Sequence, residues 1–340
     1  MKYFKGSILL SIIGAMCAYG VGFYYTGTVA GGFKALFLTF VLSILEVSLS
    51  FDNAVVNAIV LKKMTPLWQH RFLTWGIAIA VFGMRLVFPL LLVGVMAHIN
   101  PFDALVMAAA KPDEYAQIML SAHVSIAAYG GAFLMMVALK YFFDEAKEVH
   151  WIGWFERPIS KLGRVEAVSI GLTIVTLYFF SRVQAEHETM TFLVSGLWGL
   201  ITYIIVDGIG AFLQGPEESS MDLHKASMGM FLYLEVLDAS FSFDGVVGAF
   251  AITNNLFIIM IGLGVGAMFV RSLTILLVDK GTLAEYRFLE HGAFYAIGIL
   301  AAIMFANTIY HIPEVITGVI GAAFIGISLW SSIRYNRAHE

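Results

Sequence analysis

Twenty-nine residues, Phe33 to Leu61, pass with only Lys34, Glu46 and Asp52 charged. As a helix, a stretch that long and that apolar is sufficient to cross about 30 Å of hydrocarbon. The pattern recurs along the chain and predicts an all-α, polytopic membrane helix bundle. Ten spans are expected, at about 6–25, 33–61, 72–97, 116–143, 165–180, 190–213, 226–253, 256–278, 288–306 and 314–333. Composition agrees: 13% of residues are charged and 59% hydrophobic, against about 25% charged in soluble domains. The first run is longer than a signal-peptide apolar region and lacks an A-x-A-like site, so it reads as a retained span. The polar connection 144–164 carries Trp151, Trp154 and Phe155, residue types that favour the membrane interface.

Inside the second span lies Glu46-Val47-Ser48-Leu49-Ser50-Phe51-Asp52-Asn53. Inside the seventh lies Glu235-Val236-Leu237-Asp238-Ala239-Ser240-Phe241-Ser242-Phe243-Asp244-Gly245. Aligning Ser48–Asp52 with Ser240–Asp244 sets Glu46 opposite Asp238, and leaves Glu235 as an extra acid. The two phrases are five spans apart, so their helices run in opposite directions. That spacing predicts a 5+5 inverted repeat within a single transmembrane domain, 1–181 and 190–335. Gly76 and Arg85 in the third span match Gly262 and Arg271 in the eighth, each pair nine residues apart.

Loop charge gives the orientation. With the N-terminus and C-terminus both cytoplasmic, fifteen Lys and Arg fall inside and only Lys34, Lys111 and Arg182 outside.

An ionised side chain at mid-membrane costs at least about 2.5–3.5 kcal/mol. Five acids at that depth need a cation, a proton, an arginine or water. Glu46, Ser50, Asn53 and Asn57 follow i, i+4, i+7, i+11 and form one helical stripe. Asp238, Ser242 and Gly245 repeat it. Asp52 and Asp244 fall off the stripe on an ideal helix. Local unwinding near Ser50–Asn53 and Ser242–Gly245 would bring both faces to one point, so helices two and seven are expected to be broken. Carboxylate, amide, hydroxyl and carbonyl oxygens are hard donors, suited to Mg²⁺, Ca²⁺ or Mn²⁺. Neither phrase holds a His or Cys, as a zinc or copper site would. Arg85 and Arg271 are expected to balance the acids when no ion is bound, and the neutral oxygens of Asn53 and Ser242 to complete the ion site.

The two acid phrases, with Arg85 and Arg271 one span on, resemble the TerC family of integral membrane proteins, and specifically a divergent branch of it. The resemblance covers roughly residues 33–305. It implies Glu46, Asp52, Asn53, Glu235, Asp238 and Asp244 as metal-site residues. TerC-like proteins are linked to tellurium resistance, and several bacterial members to manganese efflux. The resemblance therefore implies a bacterial cytoplasmic (inner) membrane protein whose cation is Mn²⁺ ahead of Ca²⁺.

Together these features lead us to expect a secondary transporter exporting a divalent cation, with the lipid bilayer, the ion and protons as its partners and no resident cofactor. No nucleotide-binding motif is present, so proton exchange is the expected driver. The alternative is a non-transporting scaffold or insertion factor in a metal or tellurium stress complex. A small-solute exporter would favour half-helix N-termini over a carboxylate cluster. An enzyme is not expected, because no Ser/His pair or H-E-x-x-H helix accompanies the acids. A nucleic-acid binder would need a basic face; the net charge is −4. Cys17 is the single cysteine, which excludes a disulfide framework. Asp207 reads as a gate residue or a paired structural acid. Asn254, Asn255 and Asn307 read as helix-end residues, and Gly262, Gly264 and Gly266 as sites of close helix packing.

Overall fold

The computed structural model describes residues 3–76, 78–161, 167–213, 220–281 and 285–339. Among them the chain forms α1 (Lys5–Thr26), α2 (Val29–Leu49), α3 (Phe51–Leu61), α4 (Pro66–Ala97), α5 (Pro101–Ala110), α6 (Pro112–Ser121) and α7 (His123–Phe142). There follow α8 (Gly153–Ser160), α9 (Ala167–Ser181), α10 (Glu186–Leu213), α11 (Ser220–Ala249), α12 (Leu256–Asp279), α13 (Leu289–Asn307) and α14 (Glu314–His339). No strand occurs among the described residues.

Local chemistry sets the boundaries. Gly27 closes α1 at φ 65°, a conformation glycine adopts without penalty. Thr28 then caps α2 by accepting the Gly31 N–H, and Asn100 and Asn255 cap α5 and α12 in the same way. Proline opens α4, α5 and α6, where its missing N–H costs nothing.

Among the described residues, eight helices are long and apolar enough to cross a membrane: α1, α2, α4, α7, α10, α12, α13 and α14. The molecule is a polytopic helical bundle. Each of the ten expected spans finds a helix, but two do not qualify on length and apolarity. α9 has 15 residues, and α11 carries Glu235, Asp238 and Asp244 along its length. The expected spans at 33–61 and 116–143 are each two helices, divided at Ser50 and at Ala122.

The second helix is thus broken where expected, and the seventh is not. α11 continues as one helix through Ser242 to Ala249. Ser240 Oγ donates back to the Val236 carbonyl at 2.9 Å, a bond that stays within a helix. In the first phrase Ser50, the register counterpart of Ser242, donates from Oγ to the Glu46 carboxylate at 3.1 Å.

α12 lies against α1, α2 and α3, and α13 against α3, α7 and α14. The two sequence halves therefore interleave. Gly262 and Gly266 bring α12 close to α2: a Cβ at Gly266 would lie 2.5 Å from Glu46 Cβ, and one at Gly262 would lie 2.6 Å from Leu42 Cβ. α4 winds as a π-helix over Phe72–Gly76 and Ile79–Val87. The wider turn is rare and concentrates at functional sites.

Candidate ion site

α2, α3, α4, α11 and α12 enclose a cavity of about 40 Å³, room for a few waters or one ion with part of its water shell. The Glu46, Ser50, Asn53, Asn57 stripe lines it from α2 and α3. Arg85 faces it from the π-helical part of α4, Glu235 and Asp238 from α11, and Arg271 and Thr274 from α12. The kink at Ser50 preserves the stripe because it is slight. Ser50 N–H still reaches the Glu46 carbonyl, and Ala54 N–H the Ser50 carbonyl, so the helical phase carries across.

Arg85 is the hub. It is 2% exposed and donates from Nη2 to Glu46 Oε1 and from Nη1 to the Ala80 carbonyl. Asn53 Nδ2 donates to Asp238 Oδ1 at 2.5 Å. Arg271, the counterpart of Arg85, makes no ion pair among the described residues. It donates from Nη1 to the Phe72 carbonyl at 3.2 Å, on the first π-turn of α4. Glu235 lies over Gly76, where a Cβ would come within 2.6 Å of Glu235 Oε1.

Three carboxylates and two guanidiniums line the cavity, which leaves one formal negative charge. Three of its oxygens, Asn53 Oδ1, Asn57 Oδ1 and Glu235 Oε1, find no hydrogen-bond donor. Each orphaned buried acceptor costs about 1–3 kcal/mol. A cavity with net negative charge, hard oxygens and acceptors in need of a partner is suited to a cation. Among the fully buried lining atoms of the described residues, Arg85 Nε is a donor without a partner.

Not every expected residue converges. Asp52 is 4% exposed but does not line the cavity. It sits in the first turn of α3, a quarter-turn from Asn53, and its Oδ1 accepts the Asn53 N–H at 3.0 Å. The unwinding at Ser50 is too slight to swing Asp52 onto the stripe. Ser242 is buried outside the cavity with Oγ unpartnered. The side chains of Asp222 and Asp244 on α11, and the residues Glu217 and Glu218, lie outside what the structure describes. Among the described residues no group of three or more acid, His or Cys side chains is placed to hold a metal ion by itself. Arg85 holds Glu46 instead.

One family model covers residues 51–339. The chain belongs to DUF475, a family described as proteins of unknown function. The DUF475 match begins at the first residue of α3, so it contains every cavity residue except Glu46 and Ser50. No curated protein and no solved structure matches the chain.

Elsewhere, Asp207 pairs with Lys140 at 2.5 Å, the structural role among the two expected for it. Asn254 bonds Asp113, and Asn307 ends α13 and accepts the Ile312 N–H. Sequence reasoning passed over a buried cluster beneath the 144–160 connection. Glu156, fully buried, accepts the N–H groups of Trp151 and Ile152 and the Tyr295 hydroxyl, and pairs with Lys147 at 3.1 Å. His150 and His291 stand 3.5 and 3.4 Å from the same carboxylate. The one available signal was a cluster of His, Lys and Glu within 147–156, which reads equally as a solvated loop.

Proposed function

We propose that this chain is a membrane transporter exporting a divalent cation, Mn²⁺ ahead of Ca²⁺, from the cytoplasm in exchange for protons. The observation that carries the reading is the cavity: one uncompensated negative charge, hard oxygen donors without partners, and no His or Cys, enclosed by the bundle. Such a donor set fits Mg²⁺, Ca²⁺ and Mn²⁺. The resemblance of the two acid phrases to the TerC family, several of whose members are linked to manganese efflux, favours Mn²⁺ and an inner-membrane location.

In this reading Arg85 is a tethered stand-in for the ion. It neutralises Glu46 while no cation is bound. A divalent cation competes for Glu46 and Asp238, and Arg85 withdraws along α4, whose π-turns offer two windings of similar length. The differential contact of the ion with the two Arg85 positions is what drives the change.

Inverted vesicles carrying the chain and a divalent-sensitive dye test this directly. Comparing Mn²⁺, Ca²⁺, Mg²⁺ and Zn²⁺ with and without a proton gradient, we expect gradient-dependent Mn²⁺ entry that Asp238→Asn abolishes. Correctly inserted protein that moves none of the four ions would contradict the reading and favour the scaffold alternative.

A further inference from the structure

We infer that the cavity contains a second cation stop, built by Asn57, Glu235 and the free amide oxygen of Asn53. It lies about one helical turn nearer the Lys62–Lys63 end of the bundle than the Glu46–Asp238 pair. Its ligand is a partly hydrated divalent cation in transit, so the inference rests on the transporter reading above.

The two levels follow from helix direction. α3 runs from Phe51 toward Lys62, so Asn57 lies about 6 Å beyond Asn53 along the axis at about 1.5 Å per residue. The start of α11 lies at that same end. Thr65 N–H donates to Ser227 Oγ at 3.0 Å, and Trp68 Nε1 donates to His224 Nδ1 at 3.1 Å. Glu235 precedes Asp238 by three residues and so stands about 4.5 Å nearer that end. Asn53 and Asp238, joined by a hydrogen bond, mark the inner level. Asn57 and Glu235 mark the outer one.

The levels differ in how their oxygens are satisfied. At the inner level Glu46 has Arg85 and Ser50, and Asp238 has the Asn53 amide. At the outer level Asn57 Oδ1 and Glu235 Oε1 have no donor, and neither does Asn53 Oδ1. The donation of Asn53 Nδ2 to a carboxylate fixes which end of that amide is oxygen. Asn53 and Asn57 are 2% and 5% exposed, so bulk water does not serve them. Arg271 is the nearby cation, and its Nη1 goes to the Phe72 carbonyl.

The chemistry of the outer level sets its role. One carboxylate and two amide oxygens supply a single negative charge, which the neighbouring Arg271 opposes; that is too little to replace the water shell of a divalent cation, and low ligand charge makes for weak binding. Weak binding suits a stop on a path, which must be left as readily as entered. The register of the two acid phrases places Ser43 opposite Glu235 and Ala249 opposite Asn57. Neither residue is duplicated, so the stop belongs to one side of the membrane only.

The test uses the full chain in lipid nanodiscs and in vesicles. Bound Mn²⁺ is read from loss of the free-ion paramagnetic resonance signal, and flux from the vesicle dye. Asn57→Leu is expected to lower Mn²⁺ flux at least about tenfold, with the Mn²⁺ that still binds held by Glu46 and Asp238. Asn57→Asp, which keeps shape and adds a charge, is expected to bind Mn²⁺ at least about tenfold more tightly and to release it more slowly. Wild-type flux in Asn57→Leu overturns the inference and leaves the transporter reading standing. If that variant does not insert, unchanged affinity and flux in Asn57→Asp overturn it, since they mean that ordered water alone satisfies Asn57. Wild-type protein that neither binds nor moves Mn²⁺ overturns the transporter reading and this one with it.

Discussion

Arg85 spends its terminal nitrogens inside the bundle, one on Glu46 and one on a π-turn carbonyl. Breaking a buried pair by removing one partner leaves an uncompensated charge and costs roughly 3–5 kcal/mol. Arg85→Gln is therefore expected to destabilise the detergent-solubilised protein by about that amount. Arg85→Gln with Glu46→Gln should cost clearly less than the sum of the two single changes. Additive losses, measured by thermal unfolding, would show that the pair is not coupled. At this scale the stripe was legible: Glu46, Ser50, Asn53 and Asn57 all face the cavity as their spacing requires. Asp52 was not. Its expected place in the site needed the helix to unwind at Ser50, and a kink that keeps its hydrogen bonds keeps the phase as well. The partner of Arg271 was also illegible, because a backbone carbonyl leaves no mark in a sequence.

Among the elements, α12 and α2 meet over glycines. A Cβ at Gly266 would sit 2.5 Å from Glu46 Cβ and 2.8 Å from the Ser43 carbonyl. The obstacle includes backbone, so the helices must part. Gly266→Ala is expected to cost about 1–3 kcal/mol as overpacking, and to weaken ion binding by moving Glu46. A melting temperature within error of wild type would contradict that. Gly76→Ala makes a contrasting case. Its Cβ meets the end of a flexible side chain, Glu235 Oε1, at 2.6 Å. We expect a small effect on melting but a measurable fall in Mn²⁺ flux. Sequence periodicity located these helices and the small-residue contact between them. It gave one break too many, because a serine in mid-helix can bond within the helix, as Ser240 does, or reach a side chain, as Ser50 does.

For the molecule as a whole, the 144–160 connection is tied to α13 through Glu156. Burial alone would raise the Glu156 carboxyl, but the Ile152 N–H, the Lys147 ammonium and, in acid where it is charged, His291 outweigh it. They hold the group below its ordinary value of 4.5. A carboxyl depressed in the folded state contributes stability above its unfolded value, and loses it as pH falls through the folded one. The tie is thus expected to hold at neutral pH and to loosen only in acid below the ordinary carboxylate range. Trypsin cleavage at Lys161 reads it at neutral pH, since Pro158 blocks cleavage after Arg157. Glu156→Gln should be cut about tenfold faster at neutral pH, since a loss of 1–2 kcal/mol changes an open population by a factor of about 5–30. Read with pepsin, which works in acid, its opening should also lose the acid dependence expected of wild type; equal rates in both proteins would contradict the tie.

The most direct test of the central claim is anomalous diffraction from crystals of the chain soaked in Mn²⁺. The account predicts a manganese peak within the cavity, in contact with Glu46 and Asp238, with Arg85 withdrawn from Glu46. A map in which Arg85 still holds Glu46 and manganese appears only on loop acids would contradict it.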